Sequence, residues 1–511
     1  MACRSCTLLS CVVAWQWGKP VKRLTPIDAA FLLMERRQQP LHVGALVLFK
    51  PPKNAPADFV GQLAARLRQS TKAAPPFNRR LAGSMAFKYW AEDEDFDLAN
   101  HFVHLALPRP GRIRELLAMI SRVHSAHLDR AYPMWRMYLI EGLDDGRIAL
   151  YSKIHHSLVD GIAGIRLMMK SMSPDVAESL RMPPPWEIGT RKTLNAALPI
   201  PTVGAGSFSA LMRLAGSGYQ SIPAVARQLR QTLSDARQHH PEAITSLQAP
   251  RCILNQKVCG SRRFAAQSYA TSRIKAIAKT FDATSNDVVL ALCGAALRRY
   301  LQELNALPDE PLIALVPVST RHDDSDSGNE VAFALASLAT HLSDPAARMR
   351  AVKASMDYNK ARFREMTPAQ VLAYSAALLA PGALAWLTGL DRRHAIANTV
   401  ISHVPGPRET LYWQGCQLDG IYPASLVLDD FALNITLISR HDFIDFGIIA
   451  CRKSLPRVQR LLDYIEDAIV ELETCAGLEQ VFYSASRLPQ PAEPGRAEAG
   501  VKAGRRTRSR T

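Results

Sequence analysis

Residues 147–161 read RIALYSKIHHSLVDG, and this stretch decides the fold. Apolar residues dominate Arg147–Ile154 and predict a buried strand. A helix is predicted from Gly161 onwards, to about residue 172. His155 and His156 therefore lie at a strand–turn–helix junction, which presents polar side chains at the end of a sheet, where functional residues commonly lie.

The residues of this junction suit the transfer of an acyl group from a thioester to a hydroxyl group. A thiolate leaves readily, so the difficult step is removal of the proton from the attacking alcohol. One histidine that titrates near neutral pH can remove that proton, and such general-base help is worth ~10²–10⁴-fold. Asp160, near the N-terminus of the predicted helix, can form an ion pair that fixes the loop. No serine or cysteine nucleophile is then required.

On the residues alone, two roles other than catalysis have to be weighed for the histidine pair, a structural role and metal binding. Adjacent histidines are often structural rather than catalytic. Histidine and aspartate are also good metal ligands, but no companion cluster of His, Asp or Glu with recognisable spacing stands out in the sequence. A metal site is therefore not predicted, whereas a structural and a catalytic role stay equally open.

The apolar pattern along the rest of the chain predicts an α/β (α+β) protein with two halves. Short apolar runs predict strands, and amphipathic stretches predict helices, in both halves. The stretch between them is rich in Gly, Ser and Pro with helical patches, which indicates a partly helical crossover linker. The predicted parts are an extension outside the fold (1–20), an N-terminal half (21–182), the linker (183–260), a C-terminal half (261–480) and a basic disordered tail (481–511).

Length and composition are those of a globular protein with more than one core. The chain has 511 residues, of which 48% are hydrophobic and 21% charged, whereas single cores stop growing at roughly 250–300 residues. The net charge of +16 predicts an anionic partner, such as nucleic acid, an anionic lipid surface or a phosphorylated cofactor. No zinc-finger, RRM or KH signature accompanies the charge in the sequence, so specific nucleic-acid binding is not expected.

Cysteine usage and hydropathy favour a cytoplasmic protein that contacts a membrane surface. Nine cysteines without regular spacing argue against a disulfide framework and suit a reducing compartment. Residues Thr367–Leu390 carry no charge, but they contain Pro381-Gly382. We therefore expect two short helices broken at Pro381, buried or resting on a lipid surface, rather than a membrane span.

The sequence from His155 to Gly161 matches the HHxxxDG motif of the CoA-dependent acyltransferase superfamily. That superfamily includes chloramphenicol acetyltransferase, peptide-synthetase condensation domains and polyketide-associated acyltransferases, which the motif alone does not separate. Further segments resemble, in order, those of bacterial wax ester synthase/diacylglycerol acyltransferases, so that the resemblance extends from Leu24 to Cys475. These segments are Leu24–Phe31, Pro40–Gly44, Leu128–Arg130, Pro133–Trp135, Glu141–Leu143, Asn286–Leu290, Val316–Arg321, Gly328-Asn329 and Ser402–Pro407.

The resemblance implies a role for each residue of the motif. It implies that His156 is the general base that deprotonates the acceptor hydroxyl, and that His155 is a supporting neighbour that shapes the loop. It further implies that Asp160 is structural and that Gly161 permits the turn.

Outside the motif, the resemblance implies that Asn286 positions substrate or stabilises the tetrahedral oxyanion. The alternative is that Ser285-Asn286-Asp287 only caps a helix. Pro133 and Trp135 resemble scaffold or substrate-channel residues of the family. The chain departs from the family in two places, because Met134 replaces a Leu of similar volume and His403 replaces the Asn that usually precedes the Val-Pro-Gly-Pro turn.

The fold implied by the resemblance is two chloramphenicol-acetyltransferase-like halves in one chain, with an active-site channel between them. The implied activity is direct transfer of a long-chain acyl group from acyl-CoA, as co-substrate, to a fatty alcohol or diacylglycerol, with neither a bound cofactor nor a metal. The implied location is the cytoplasmic side of the inner membrane or a lipid-droplet surface, as a peripheral protein. Two alternatives remain open: acylation of another alcohol or amine, such as a polyketide, and a non-catalytic lipid-surface-binding protein.

Overall fold

The structure is a computed structural model that describes residues 15–16, 19–20, 22–83, 88–159, 161–189, 222–238, 240–246, 248–319, 331–388 and 394–478. Asp160, Gly328-Asn329 and the predicted tail (481–511) lie outside the described residues. Within residues 1–20, the described part is a pair of two-residue antiparallel strands.

The strands are β1 (Trp15–Gln16), β2 (Lys19–Pro20), β3 (Lys22–Arg23), β4 (His42–Lys50), β5 (Arg79–Gly83), β6 (Lys88–Glu92), β7 (Phe102–Ala106), β8 (Trp135–Glu141), β9 (Ile148–His155), β10 (Ala249–Pro250), β11 (Arg262–Ala270), β12 (Ile313–Ser319), β13 (Val331–Ser337), β14 (His394–Ala395), β15 (Thr399–Pro405), β16 (Tyr412–Trp413), β17 (Cys416–Ala424), β18 (Leu433–Ser439) and β19 (Phe443–Cys451).

The α-helices are α1 (Pro26–Met34), α2 (Phe59–Arg68), α3 (Ile113–Ser125), α4 (Gly161–Lys170), α5 (Val176–Ser179), α6 (Ile222–Arg237), α7 (Thr271–Thr280), α8 (Ser285–Glu303), α9 (Pro345–Arg364), α10 (Pro368–Thr388) and α11 (Arg460–Cys475).

Two six-stranded mixed sheets form the framework. The first has the strand order β16-β17-β4-β9-β8-β7, and the second has the order β11-β19-β18-β15-β12-β13. In the first sheet only β7 and β8 run parallel, whereas in the second β15 is parallel to both β12 and β18. Helices pack on both sheets. The predicted architecture of two α/β halves is therefore confirmed.

One strand of the first sheet comes from far along the chain. β17 belongs by sequence to the predicted C-terminal half, yet it pairs antiparallel with β4 of the N-terminal half along most of its length. The bounds predicted for the two halves stay a prediction. The structure shows in addition that β17, from the second half of the chain, pairs with β4 of the first half. The exchange means that the first sheet is completed by the second half of the chain.

β17 also lies directly against β19 of the second sheet. A Cβ atom at Gly447 would lie 1.9 Å from the carbonyl oxygen of Pro423, so only a glycine permits this approach. The buried carboxylate of Asp445 accepts a hydrogen bond of 2.8 Å from the backbone N–H of Ile421. The two sheets are therefore joined through β17 and β19.

Helix α3 makes a second connection between the halves. Ser121 Oγ accepts a hydrogen bond of 2.9 Å from the N–H of Phe264, and Ser125 Oγ accepts one of 2.8 Å from the N–H of Arg262. Both donors lie on β11. Buried side chains of the first sheet, such as Tyr151, share one hydrophobic core with those of β11 and β19 in the second sheet.

The predicted linker contains α6, which packs on the second half. Thr232 Oγ1 lies 2.8 Å from the hydroxyl oxygen of Tyr374 on α10, and Asp235 pairs with Arg362 on α9 at 2.5 Å. The prediction of a partly helical linker is therefore confirmed.

The prediction of two helices broken at Pro381 is wrong, because α10 is a single helix that contains this proline. Proline removes one backbone donor, but Ala and Leu, which strongly favour helix, dominate the stretch. The N–H of Gly382 donates to Ser246 Oγ at 3.2 Å, which gives this turn a partner outside the helix. Among the described helices, none is long and apolar enough to cross a membrane.

Candidate active site

The histidine pair lies where the sequence predicts it, at the end of β9. This strand is buried along its whole length, and its last residue, His155, pairs with His42 on β4. A turn follows, and α4 begins at Gly161. The φ angle of Gly161 is not in the left-handed region, and a Cβ there would meet no atom of a described residue within 4 Å. The glycine therefore leaves open space beside the loop, and no left-handed turn requires it.

His156 is half-buried, and contacts on two sides fix its position. Its backbone N–H donates to the carbonyl oxygen of Leu41 at 2.9 Å. Its imidazole stacks on the ring of Phe31 in α1, with centroids 4.3 Å apart and an angle of 16° between the planes. The ring thus lies against an aromatic side chain of α1, and the backbone of His156 is held by the residue that precedes β4.

His155 is fully buried, and its hydrogen bonds determine its orientation. Nδ1 accepts a hydrogen bond from the backbone N–H of Ser157 at 3.2 Å and lies 2.7 Å from Ser157 Oγ. Because Nδ1 is an acceptor, the neutral ring carries its proton on Nε2. Nε2 faces the carboxylate of Glu35, with Oε1 at 3.6 Å. His155 thus links the turn of the motif to a buried charge.

Glu35 is a candidate positioning residue that the sequence analysis did not identify. Its carboxylate is 5% exposed and pairs with the Arg130 guanidinium at 2.8 Å and with His127 at 3.4 Å. Burial opposes its charge, but the nearby ring of His155, the Arg130 guanidinium and the N–H of Leu41 lower its pKa to about 2. Glu35 is therefore anionic at neutral pH. A signal was available, because Glu35 lies between two family-like segments and Arg130 lies in a third.

The backbone of Leu41 connects Glu35 to His156. The N–H of Leu41 donates to Glu35 Oε1 at 3.1 Å, and its carbonyl oxygen accepts the bond from His156. One carboxylate thus faces the ring of His155 directly and positions the backbone of His156 through a single intervening peptide.

The segment Pro133–Trp135 supports the same loop from the other side. The carbonyl oxygen of Met134 accepts a hydrogen bond of 2.9 Å from the N–H of His155. Trp135 is 1% exposed, donates from Nε1 to the carbonyl oxygen of Phe77 at 2.8 Å and stacks on other rings of the core. Pro133 is buried as well. Of the two roles predicted for Pro133 and Trp135, this placement favours the scaffold.

Two further histidines, which the sequence did not connect, meet beneath the loop. His42 Nε2 lies 2.6 Å from the carbonyl oxygen of His124, and His124 Nδ1 lies 2.6 Å from the hydroxyl oxygen of Tyr151. Lys153 donates to the carbonyl oxygens of Val123 and Ala126 at 2.9 and 2.7 Å. Burial lowers the pKa of His124 to about 3 and that of His42 well below its usual value. β9 thereby holds the C-terminal end of α3.

Asn286 lies in the first turn of α8, away from these contacts. The cap of this helix is formed by Thr284 and Asp287, and Asp287 is buried and pairs with Lys360 at 2.9 Å. The side chain of Asn286 is half-buried and has no hydrogen-bond partner among the described residues. No hydrogen bond or ring contact in the described part of the chain joins this turn to the loop of His156. The roles proposed for Asn286 stay predictions.

His403 makes a polar contact at the turn where the family usually has Asn. Its Nε2 lies 2.5 Å from Ser439 Oγ, and burial lowers its pKa to about 4. The N–H of Gly406 donates to the carbonyl oxygen of Ser439 at 2.9 Å. Both contacts hold the Pro405-Gly406-Pro407 turn against the end of β18. A metal-binding group of three or more His, Cys, Asp or Glu is absent from the described residues.

Two family models match the chain. The model of the wax ester synthase/diacylglycerol acyltransferase catalytic domain matches residues 24–289, and that of the WS/DGAT C-terminal domain matches residues 327–473. The O-acyltransferase WSD of Acinetobacter baylyi is 48% identical over 450 residues, which are 88% of this chain and 96% of the relative. A probable diacylglycerol O-acyltransferase of Mycobacterium tuberculosis is 42% identical over 463 residues, 89% of this chain and 99% of the relative.

Solved structures agree with the fold described above. The wax ester synthase/diacylglycerol acyltransferase from Marinobacter aquaeolei VT8 is similar with a TM-score of 0.73 at 45% identity, covering 89% of this chain and 100% of that one. The starter condensation domain of rhizomide synthetase is similar in fold alone, with a TM-score of 0.55 at 14% identity over 93% of this chain and 97% of that domain. Both the predicted two-half fold and the predicted resemblance are confirmed. The chain belongs to the wax ester synthase/diacylglycerol acyltransferase family.

Proposed function

We propose that this O-acyltransferase moves a long-chain acyl group from acyl-CoA to a fatty alcohol, giving a wax ester, or to diacylglycerol, giving triacylglycerol. The observation that carries the proposal is the fixed, half-buried imidazole of His156 at the end of β9. The names of the full-length relatives support the choice of acceptors. The net charge of +16 suits a co-substrate that carries phosphate groups.

In the proposed reaction His156 takes the proton of the acceptor hydroxyl group as its oxygen attacks the thioester carbonyl. The tetrahedral oxyanion then collapses, the bond from carbon to sulfur breaks, and the CoA thiolate receives the proton from His156. The ester and free CoA are the products, and no acyl-enzyme forms. Asn286 is proposed as a donor to the oxyanion or to the substrate, and a preorganised donor of that kind contributes about 3 kcal/mol.

The proposed division of labour follows from the contacts of the loop. His156 is the catalytic residue, and Phe31 and the Leu41 carbonyl oxygen hold its ring and backbone. Glu35 and His155 are positioning residues, because they act on His156 through Leu41 and through the turn. Asp160, outside the described residues, is proposed to be structural.

The proposal also includes peripheral contact with an anionic lipid surface on the cytoplasmic side of a membrane or on a lipid droplet. The solvent-facing side of α6 has a groove of about 480 Å³ that is lined by Leu229 and Leu233 together with Arg230 and Arg237. Leu233 is 41% exposed, and Leu384 on the adjoining helix α10 is 61% exposed. Apolar side chains beside basic ones suit the boundary between acyl chains and anionic headgroups.

The first prediction concerns the acceptor. Purified protein given palmitoyl-CoA together with hexadecanol and diacylglycerol should form palmityl palmitate, triacylglycerol or both, measured by chromatography of the extracted lipids. The ratio of the two products reports the acceptor preference. If both acceptors stay unreacted while another alcohol or an amine is acylated, the proposed acceptors are wrong.

The second prediction concerns the base. His156→Ala should lower kcat for ester formation by ~10²–10⁴-fold, because general-base help to the attacking hydroxyl is lost. His441→Ala is the matched control, since His441 is exposed far from the loop in sequence. Circular dichroism should show both variants folded, and full activity of a folded His156→Ala protein would eliminate the mechanism.

The third prediction concerns Glu35. Glu35→Gln keeps the size of the side chain but removes its charge, so the histidine loop is less well positioned. We expect kcat to fall roughly 10- to 100-fold, while KM for both substrates changes little. Glu310→Gln, at an exposed site, is the control and should leave both constants unchanged.

Acid titration separates the charge of Glu35 from a mere packing effect. The pKa of Glu35 is lowered from 4.5 to about 2, so its ionised form stabilises the fold above pH 4.5, and this stabilisation is lost as the pH falls towards 2. The difference in unfolding free energy between wild type and Glu35→Gln should therefore be constant above about pH 5 and shrink below it. A difference that does not vary with pH would contradict this account.

The fourth prediction concerns the lipid surface. Arg230→Glu/Arg237→Glu should bind vesicles of phosphatidylcholine and phosphatidylglycerol on the order of tenfold more weakly than wild type in a flotation assay. Lys275→Glu/Arg350→Glu makes the same change of charge at exposed sites on other helices and is the control. Equal loss of binding in both double variants would mean that net charge alone, and not the α6 surface, attracts the vesicles.

A further inference from the structure

Two thiols that the proposed reaction does not use are in contact near the start of β11. Cys451 is the last residue of β19 and is fully buried, while Cys259 is half-buried in the segment that leads into β11. Their sulfur atoms lie 3.4 Å apart, and both are free thiols. Contact of this kind brings the two sulfurs within about 1.5 Å of bonding distance.

The surroundings of Cys451 favour the thiolate form. The N–H of Cys259 and the hydroxyl group of Ser454 donate to its sulfur at 3.3 and 3.4 Å. Burial opposes the charge, but these donors lower the pKa of Cys451 to about 7. Burial without such donors raises the pKa of Cys293 and that of Cys416 to about 12. The contacting pair is thus chemically distinct from these other buried cysteines.

The segment of Cys259 also touches the turn that follows Glu35. Arg262 binds the carbonyl oxygen of Cys259 through one nitrogen and donates through Nη2 to the carbonyl oxygen of Gln38 at 2.9 Å. A Cβ at Gly260 would lie 3.3 Å from the carbonyl oxygen of Arg37, so the two backbones are close. Residues 36–39 form the turn between Glu35 and Leu41. A shift of the Cys259 segment therefore displaces residues 36–39, which lie between Glu35 and Leu41, the residues that position His156.

We propose that Cys259 and Cys451 form a redox-active pair, which hydrogen peroxide closes to a disulfide that lowers acyl transfer. One sulfur, as thiolate, attacks the peroxide and becomes a sulfenic acid, and the hydroxide released takes up a proton to give water. The other thiolate then attacks the sulfenyl sulfur, the S–S bond forms, and the second oxygen leaves as water. Two thiols and one peroxide thus give one disulfide and two waters.

The expected loss of acyl transfer follows from which of the two cysteine segments moves when the disulfide forms. Cys451 ends a strand that is paired on both edges, so the Cys259 segment must approach it. The approach needed is roughly 1.3 Å, given a disulfide bond of about 2.05 Å. Arg262 and Gly260 transmit this shift to residues 36–39, and a misplacement of about 1 Å in a catalytic site can cost up to ~10²-fold.

The fifth prediction tests the pair with the full chain. After treatment with a few equivalents of hydrogen peroxide, the intact mass should fall by two hydrogens, and a non-reducing digest should yield the Cys259–Cys451 cross-linked peptide. Ester formation should drop on the order of tenfold and return with dithiothreitol. This effect on catalysis rests on the proposed function. Cys259→Ser should keep its activity under peroxide, whereas Cys475→Ser, changed at an exposed thiol, should respond like wild type.

The outcomes separate this proposal from the proposed function. Absence of the cross-linked peptide, or cross-linking of other cysteines instead, would overturn the pair. A cross-link with unchanged ester formation would overturn its effect on catalysis. A protein that makes no ester but forms the cross-link would contradict the proposed function and leave the thiol pair standing.

Discussion

The histidine loop depends on one buried negative charge, the carboxylate of Glu35. A charge is costly to bury unless each of its oxygen atoms has partners, and here the partners are Arg130, His127, His155 and the N–H of Leu41. These partners come from the segment before β4, from the loop before β8 and from the end of β9. Satisfying the carboxylate therefore brings three distant parts of the chain to one point. The imidazole of His156 is placed as a consequence of that convergence.

The convergence is stable because the two halves cannot be separated without exposing a common core. β17 completes the first sheet while it lies against β19 of the second, and α3 is fastened to β11 through Ser121 and Ser125. Lys153, two residues before His155, holds the end of α3. β9, the strand that carries the motif, is thereby attached to α3, which in turn bonds to β11 of the second half. The position of His156 is thus a property of the whole fold.

The sequence predicted what local pattern determines. The strand expected over Arg147–Ile154 is found at Ile148–His155, and the helix expected from Gly161 begins there. Pairings between distant segments leave no local pattern, which is why the exchange of β17 was not predicted. Glu35 was also missed, because a single glutamate directly after a helix is ordinarily expected to be a solvated surface residue. The break expected at Pro381 was wrong, since helix propensity and packing outweighed the loss of one donor. The roles of Asp160 and Asn286 stay predictions.

The charges around the loop bear on the proposed chemistry, because His156 becomes positively charged when it takes the proton of the acceptor. Nearby cations would oppose that step. Burial lowers the pKa of His42, His124 and Lys153, which reduces the positive charge that these groups hold beneath the loop. Glu35 keeps its negative charge behind His155. The buried contacts that position the histidine loop therefore also keep the positive charge on His42, His124 and Lys153 small and hold a negative charge next to His155.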